Sequence, residues 1–145
     1  MSMQLELNEE NKKPLILIVD DIPKNLQVLS NILNIEGYQI SFASNGKQAL
    51  SILETTIPDI ILLDIMMPEM DGFEVCKLIK SNSFTQNIPI IFLTGKADTD
   101  DIVKGLKLGA VDYITKPFNS AELLSRIRTH IELKFSRDAI VKYNE

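Results

Sequence analysis

The sequence predicts an α/β fold in which a doubly wound parallel sheet has helices packed on both faces. Short apolar runs without alternation recur along the chain, as expected of strands that are buried on both sides. Segments with apolar residues at helical spacing separate these runs. Strand and helix therefore alternate five times, and such alternation implies parallel strands joined by right-handed crossovers in a three-layer arrangement.

Five strands are predicted in chain order. The first, third and fourth contain short unbroken apolar runs, at residues 15–21, 59–64 and 88–94, and the first of these ends in two acids. The second and fifth, at residues 38–43 and 111–114, are weaker candidates. Each run has the length typical of a strand rather than of a helix.

Five helices lie after the strands. The first is the clearest, because Pro23 suits a first helical turn, apolar residues follow at helical spacing, and Gly37 is a stop signal. The same criteria predict helices over residues 23–36, 46–54, 72–80 and 99–108 and a last helix that opens at Asn119 or Ser120.

Composition bounds the class of protein. The chain has 145 residues, of which 45% are hydrophobic, as is usual for one globular domain. Its net charge of -5 disfavours direct binding to nucleic acid. One cysteine, Cys76, permits no internal disulfide. Neither a membrane span nor the order of a signal peptide is present in the sequence, so we expect a cytoplasmic protein.

The predicted organisation has three parts. Residues 1–13 form a polar N-terminal lead-in, and residues 14–134 form the folded domain. Residues 135–145 keep helix-forming composition with a poor apolar stripe. We interpret that segment as a helical linker to a further domain, with a frayed tail as the alternative.

Polar residues stand at the carboxyl ends of four predicted strands. Asp20 and Asp21 end the first strand, Asp64 ends the third, Thr94 ends the fourth, and Lys116 follows the fifth. Ligands of doubly wound sheets bind outside the carboxyl ends of the strands, at a switch in strand order. The fold alone therefore directs these five groups into one crevice.

Three carboxylates in one crevice repel each other unless a proton or a cation is present. Oxygen ligands without histidine or cysteine favour a hard cation, and Mg²⁺ takes one or two carboxylates directly while keeping several waters. Spacing does not decide whether Asp20 or Asp21 is the direct ligand. The alternative for either residue alone is that it caps the first helix.

A carboxylate beside Mg²⁺ can act as a nucleophile on phosphorus and form an aspartyl phosphate, here on Asp64. Phosphoryl transfer also requires neutralisation of the equatorial oxygens, for which Lys116 is a cation and Thr94 a hydroxyl donor. Gly95 leaves space beside the phosphoryl group. A cis bond between Lys116 and Pro117 would turn the lysine back over the site.

Four motifs carry a family resemblance: IVDD at 18–21, LLDIMMPEMDGFE at 62–74, FLTGK at 92–96 and GAVDYITKPF at 109–118. In this order they resemble the receiver domain of two-component response regulators, the CheY-like superfamily, from about residue 15 to 133. The resemblance implies a five-stranded parallel sheet in the order 2-1-3-4-5, a flavodoxin-like three-layer sandwich.

The resemblance also implies a role for each matching residue. Asp64 is expected to accept a phosphoryl group from a histidine kinase or a phosphotransfer protein. Asp20 and Asp21 are the expected acidic pair, with Asp21 and the Met66 backbone carbonyl as direct Mg²⁺ ligands. Lys116 is expected to pair with the phosphate. Thr94 is the expected switch hydroxyl and Tyr113 the expected switch aromatic.

The expected output is a change in the face made by the fourth helix, fifth strand and fifth helix, which is also a possible homodimer surface. The output domain or partner is not named by the sequence. Beyond its own phosphorylation and dephosphorylation, the chain is not expected to be an enzyme, and no membrane contact is expected.

Three alternatives compete with this interpretation. A phosphohydrolase of the haloacid-dehalogenase type requires an aspartate two residues after its nucleophile, where this chain has Met66 after Asp64 and Ile22 after Asp20. A receiver-like interaction module that works without phosphorylation would usually lack an acid or the lysine. A flavin-binding module is disfavoured by the acidic loop DDIPKN at 20–25.

Overall fold

The computed structural model describes residues 13–95 and 99–144. Its strands are β1 (Leu15–Val19), β2 (Gln39–Ala43), β3 (Ile60–Asp64), β4 (Ile90–Thr94) and β5 (Asp112–Thr115). Its helices are α1 (Pro23–Ile35), α2 (Gly46–Leu53), α3 (Gly72–Lys80), α4 (Thr99–Lys107) and α5 (Ser120–Asn144). All ten predicted elements are confirmed. Each end that the sequence predicted lies within two residues of the observed end.

The five strands form one parallel sheet in the order β2-β1-β3-β4-β5. The predicted α/β fold class and the strand order implied by the resemblance are both confirmed. The connection from β1 leads to β2 on one side, whereas β3 lies on the other side of β1. The switch point in strand order therefore lies at the carboxyl ends of β1 and β3, where a crevice opens.

The central strands bury both faces of the sheet. Side chains alternate along β1, so that Leu17 and Val19 enter one core while Ile16 and Ile18 enter the other. The first core lies under α2 and α3, and the second lies under α1 and α5. Burial on two faces is the reason that the strands read as unbroken apolar runs rather than as alternating patterns.

Helix ends agree with local sequence chemistry. The Asn45 side chain accepts a hydrogen bond from the Gln48 N–H at 2.7 Å, and Asp71 accepts one from the Glu74 N–H at 2.9 Å. Pro23 opens α1 without a side-chain cap. Gly37 follows the end of α1 with a φ of +87°, a left-handed conformation that glycine adopts at little cost.

Helix α5 runs for 25 residues without a break at the predicted boundary between residues 134 and 135. Beyond the second core, the Lys134 ammonium lies 3.2 Å from an Asp59 carboxylate oxygen. One turn later, the Arg137 guanidinium donates to the Asn87 carbonyl at 2.7 Å. The division into domain and linker stays a prediction, and residues 1–12 of the predicted lead-in lie outside the described residues.

Within the described ranges, no helix combines the length and the apolar character needed to cross a membrane.

One buried hydroxyl in α1 provides a stability prediction. The Ser30 Oγ is buried and has no hydrogen-bond partner among the residues that the structure describes. An unsatisfied buried polar group costs about 1–3 kcal/mol, and alanine is the better helix former. We expect Ser30→Ala to raise the free energy of unfolding by about 1 kcal/mol, measured by urea denaturation.

Ser51→Ala in α2 is the matched control, because Ser51 is exposed and reports helix propensity alone. If the free energy of unfolding rises no more for Ser30→Ala than for Ser51→Ala, burial of the Ser30 hydroxyl carries no cost.

Candidate functional site

The structure brings the predicted polar residues together at one edge of the sheet. Asp20 directly follows β1, Asp64 ends β3, Thr94 ends β4 and Lys116 directly follows β5. Asp20 is 0% exposed, Asp64 2% and Thr94 5%, so these groups lie at the bottom of the crevice and not at its rim. Parallel strands end at the same edge, which is the physical reason for their meeting.

Three carboxylates form an acidic cluster in this crevice. Asp20, Asp21 and Asp64 each contribute one oxygen, and these oxygens all lie within 4.8 Å of one another. The Asp21 Oδ1 is buried and has no hydrogen-bond partner within the part of the chain that the structure describes. An all-oxygen set with one unsatisfied buried oxygen fits a hard cation such as Mg²⁺.

Lys116 places a positive charge between two of these carboxylates. Its Nζ lies 3.3 Å from the Asp20 Oδ2 and 3.1 Å from the Asp64 Oδ1. The Lys116 backbone N–H donates to the Thr94 carbonyl at 2.8 Å, which fixes the start of the loop after β5. The predicted cis peptide bond between Lys116 and Pro117 is confirmed.

The environment of Asp64 raises the pKa of its carboxyl to about 6. Burial is the largest cause, followed by the negative charge of Asp20. Lys116 and the backbone N–H of Met66 act in the opposite direction. A pKa near 6 leaves Asp64 mostly ionised at neutral pH, as a nucleophile requires.

Asp20 is held by donors from three directions. Its Oδ1 accepts from the Ile22 N–H at 2.9 Å, and the Asn25 side-chain amide donates to Oδ2 at 3.2 Å and to Oδ1 at 3.4 Å. Lys116 supplies the third direction. Asn25 was not among the site residues predicted from the sequence. Its place in the first turn of α1, five residues after Asp20, was the sequence feature that could have indicated this contact, since the turn starts directly beside the acidic pair.

The two residues predicted to form the switch lie on neighbouring strands. Tyr113 of β5 is paired with Phe92 of β4, and Thr115 is paired with Thr94. Because side chains two apart share a face, Thr94 and Tyr113 lie on the face that packs under α2 and α3. Within residues 13–95 and 99–144, a Cβ added at Gly95 would meet no atom closer than 4 Å, in agreement with the predicted open space beside Thr94. Lys96 of the third motif lies outside the described residues.

The Met66 side chain is 77% exposed and forms no part of the buried cluster. Its predicted contribution is the backbone carbonyl, and that role stays a prediction. What bears on the site at this residue is its backbone N–H, which lowers the pKa of Asp64.

A second charged cluster on β5 and α5 was not predicted. Arg126 contacts both Asp112 oxygens, at 2.7 and 2.9 Å, and the His130 Nε2 lies 3.0 Å from the Asp112 Oδ2. The Arg126 guanidinium also lies 5.8 Å from the centre of the Tyr113 ring. The i, i+4 spacing of Arg126 and His130 on one helix face was the signal in the sequence.

Comparison with known proteins assigns a family to this arrangement. The family model described as the response regulator receiver domain matches residues 16–128. A probable cyclic di-GMP phosphodiesterase of Vibrio cholerae is 48% identical over 130 residues, which cover 90% of this chain and 29% of that protein. The response regulator PleD of Caulobacter vibrioides is 41% identical over 86% of this chain and 28% of its own length. The chain thus spans less than a third of these two relatives.

A solved receiver domain has the same fold as this chain. The receiver domain of a sensor histidine kinase from Pseudomonas aeruginosa superimposes with a TM-score of 0.77 at 33% identity, covering 83% of this chain and 99% of that one. That receiver domain holds a magnesium ion in its active-site cleft.

Proposed function

This chain belongs to the response regulator receiver domain family, and from that premise we propose that Asp64 is its phosphoacceptor. The proposed donor is a histidine kinase or a phosphotransfer protein. The observation that carries the proposal is the buried Asp64 carboxylate, which lies 3.1 Å from the Lys116 ammonium within the cluster formed with Asp20 and Asp21.

The proposed reaction begins with attack of an ionised Asp64 oxygen on the phosphorus of the donor. An oxygen–phosphorus bond forms, the donor's bond to phosphorus breaks, and its electron pair returns to the donor. The Lys116 ammonium then pairs with an oxygen of the transferred group, and the Thr94 hydroxyl donates to another. The space that the described residues leave open at Gly95 would give the added oxygens room.

Asp20, Asp21 and Asp64, with the Met66 backbone carbonyl, are the proposed ligand groups for Mg²⁺. When bound, the ion would supply neutralisation of the carboxylates and of the charge on the transferring phosphoryl oxygens. The Asp21 Oδ1, which has no partner among the described residues, supports a direct role for this residue. The oxygens of Asp20 already accept from Ile22 and Asn25 and form an ion pair with Lys116.

We propose that phosphorylation is read out on the face formed by α4, β5 and α5. A phosphoryl group adds negative charge and acceptor oxygens, which attract the Thr94 hydroxyl. Movement of Thr94 would make room for Tyr113, which lies on the same face of the sheet. A homodimer through this face, or an output domain elsewhere in a longer protein, would then respond.

The proposed donor also implies a cellular compartment for this chain and a limit on the reactions that this segment catalyses. A phosphorelay uses phosphoryl groups that derive from ATP, so the proposed location is the cytoplasm. Catalysis by this segment would be limited to its own phosphorylation and dephosphorylation. The cyclic di-GMP phosphodiesterase activity named for the Vibrio relative would belong to a part of that protein that this chain does not cover.

Intact-mass spectrometry tests the proposed function. The protein is incubated with acetyl phosphate in the presence of Mg²⁺ and, separately, after chelation of divalent ions. We expect the mass of one phosphoryl group to appear only with Mg²⁺ and to be lost on treatment with hydroxylamine, which cleaves acyl phosphates. If neither acetyl phosphate nor a phosphorylated kinase transfers the group, the phosphorylation-independent interaction module becomes the better interpretation.

A further inference from the structure

Lys116 is shared between two carboxylates that compete for it. Its Nζ is 3.1 Å from Asp64 and 3.3 Å from Asp20, so a small displacement decides which ion pair is the shorter one. Both carboxylates are buried, and a buried carboxylate is strongly stabilised by each donor that it retains. The number of other donors around Asp20 therefore determines how strongly this residue attracts Lys116.

Asn25 supplies one of those donors. The Oδ1 of Asp20 also accepts from the Ile22 N–H at 2.9 Å. Among the residues that the structure describes, its Oδ2 accepts a hydrogen bond only from Asn25 and forms an ion pair with Lys116. Asn25 lies on the first turn of α1 and is half-buried. Without this amide, Lys116 would be the sole partner of the Asp20 Oδ2.

We propose that Asn25 is a positioning residue for phosphoryl transfer: by bridging both oxygens of Asp20, it leaves Lys116 available to Asp64. This inference rests on the proposed function of Asp64. Removal of the amide shifts Lys116 toward Asp20 and away from the oxygen that receives the phosphoryl group. Asn25 itself touches neither the donor nor the transferred group.

The direct test is a crystal structure of the Mg²⁺-free Asn25→Leu variant. Leucine has the same branching as asparagine but no hydrogen-bond donor. We expect the Lys116 Nζ to approach the Asp20 Oδ2 and to leave hydrogen-bond distance of the Asp64 Oδ1. Gln27→Leu, an exposed position on the same helix, is the matched control and should leave Lys116 in its place. Lys116 still bonded to Asp64 in Asn25→Leu would overturn the proposal.

A rate measurement tests the consequence for the reaction. Phosphoryl uptake from acetyl phosphate at saturating Mg²⁺ is followed by intact mass for the wild type, Asn25→Leu, Lys116→Met and the double variant. Complete loss of a preorganised donor lowers a reaction rate by a factor of roughly 10²–10³. Because Asn25→Leu displaces Lys116 without removing it, we expect the rate of phosphoryl uptake to fall by about tenfold in this variant. Gln27→Leu should react at the wild-type rate.

The double variant separates positioning from a merely structural effect. If Asn25 acts through Lys116, Asn25→Leu should slow the Lys116→Met protein less than about twofold, because coupled residues are not additive. A full tenfold loss in that background would show that Asn25 acts independently of Lys116. A wild type that takes up no phosphoryl group would count against the proposed function, whereas the Mg²⁺-free structure would still decide the role of Asn25.

Discussion

Replacing Asp64 with asparagine is expected to abolish phosphoryl uptake while leaving the domain folded. The amide has the shape of the carboxylate but is too weak a nucleophile to attack phosphorus. The measurement is intact mass after incubation with acetyl phosphate and Mg²⁺. Glu69→Gln is the matched control, since it removes an exposed carboxylate from the loop after β3 and should react as the wild type does.

The same variant is expected to be more stable than the wild type at neutral pH without Mg²⁺. Folding raises the pKa of Asp64 from 3.8 to about 6. Between these values the folded state binds more protons than the unfolded state, so the free energy of unfolding falls as pH rises through this range. Asparagine does not ionise and so avoids that loss of stability. We expect the free energy of unfolding of Asp64→Asn to exceed that of the wild type by about 2 kcal/mol at pH 7.5.

Urea unfolding of both proteins in the absence of Mg²⁺ measures this difference. The advantage of Asp64→Asn should shrink as pH falls from about 7 to about 4, because the wild-type carboxyl then becomes protonated. Uptake of a phosphoryl group by Asp64→Asn would contradict the assignment of the phosphoacceptor. A stability difference that is constant across this pH range would contradict the raised pKa.

Gly72→Ala is expected to lower the free energy of unfolding by about 3 kcal/mol, as severe overpacking does. Gly72 is the first residue of α3, and its N–H donates to the Ile65 carbonyl at 2.8 Å. A Cβ at this position would overlap the Asp64 carbonyl oxygen and would lie 2.9 Å from the Ile65 Cα. Backbone atoms have no rotamer to change, so α3 or the end of β3 must shift.

Urea denaturation measures the cost, and phosphoryl uptake reports the accompanying displacement of Asp64. Gly95→Ala is the matched control for stability alone, because an added Cβ there meets no atom of the described residues within 4 Å. If Gly72→Ala were as stable as Gly95→Ala, the close packing of α3 on the phosphoacceptor strand would not hold in solution.

Most of the site could be predicted from the sequence because it depends on strand ends. Apolar runs locate the strands, and every strand of a parallel sheet ends at the same edge. Asp20, Asp64 and Thr94 therefore meet wherever the helices between them pack. The four motifs added the strand order, which apolar periodicity does not contain.

Other features could not be predicted in this way. The contacts of Asn25 with Asp20 and of His130 with Asp112 depend on the rotation of α1 and α5 about their axes. The continuation of α5 past residue 134 is accompanied by contacts to Asp59 and Asn87, which are distant in sequence. Helix-forming composition predicts a helix there but not the surface against which it packs.

The sequence by itself determined the fold class, the edge of the sheet that carries the chemistry and the identity of the charged groups there. Tertiary structure decided how those groups share their partners: Lys116 lies between two carboxylates, Asn25 holds one of them, and burial raises the pKa of Asp64. The physical reason is one of scale. Burial on two faces and parallel pairing follow from patterns over several residues, whereas hydrogen bonds and desolvation change within a few tenths of an ångström.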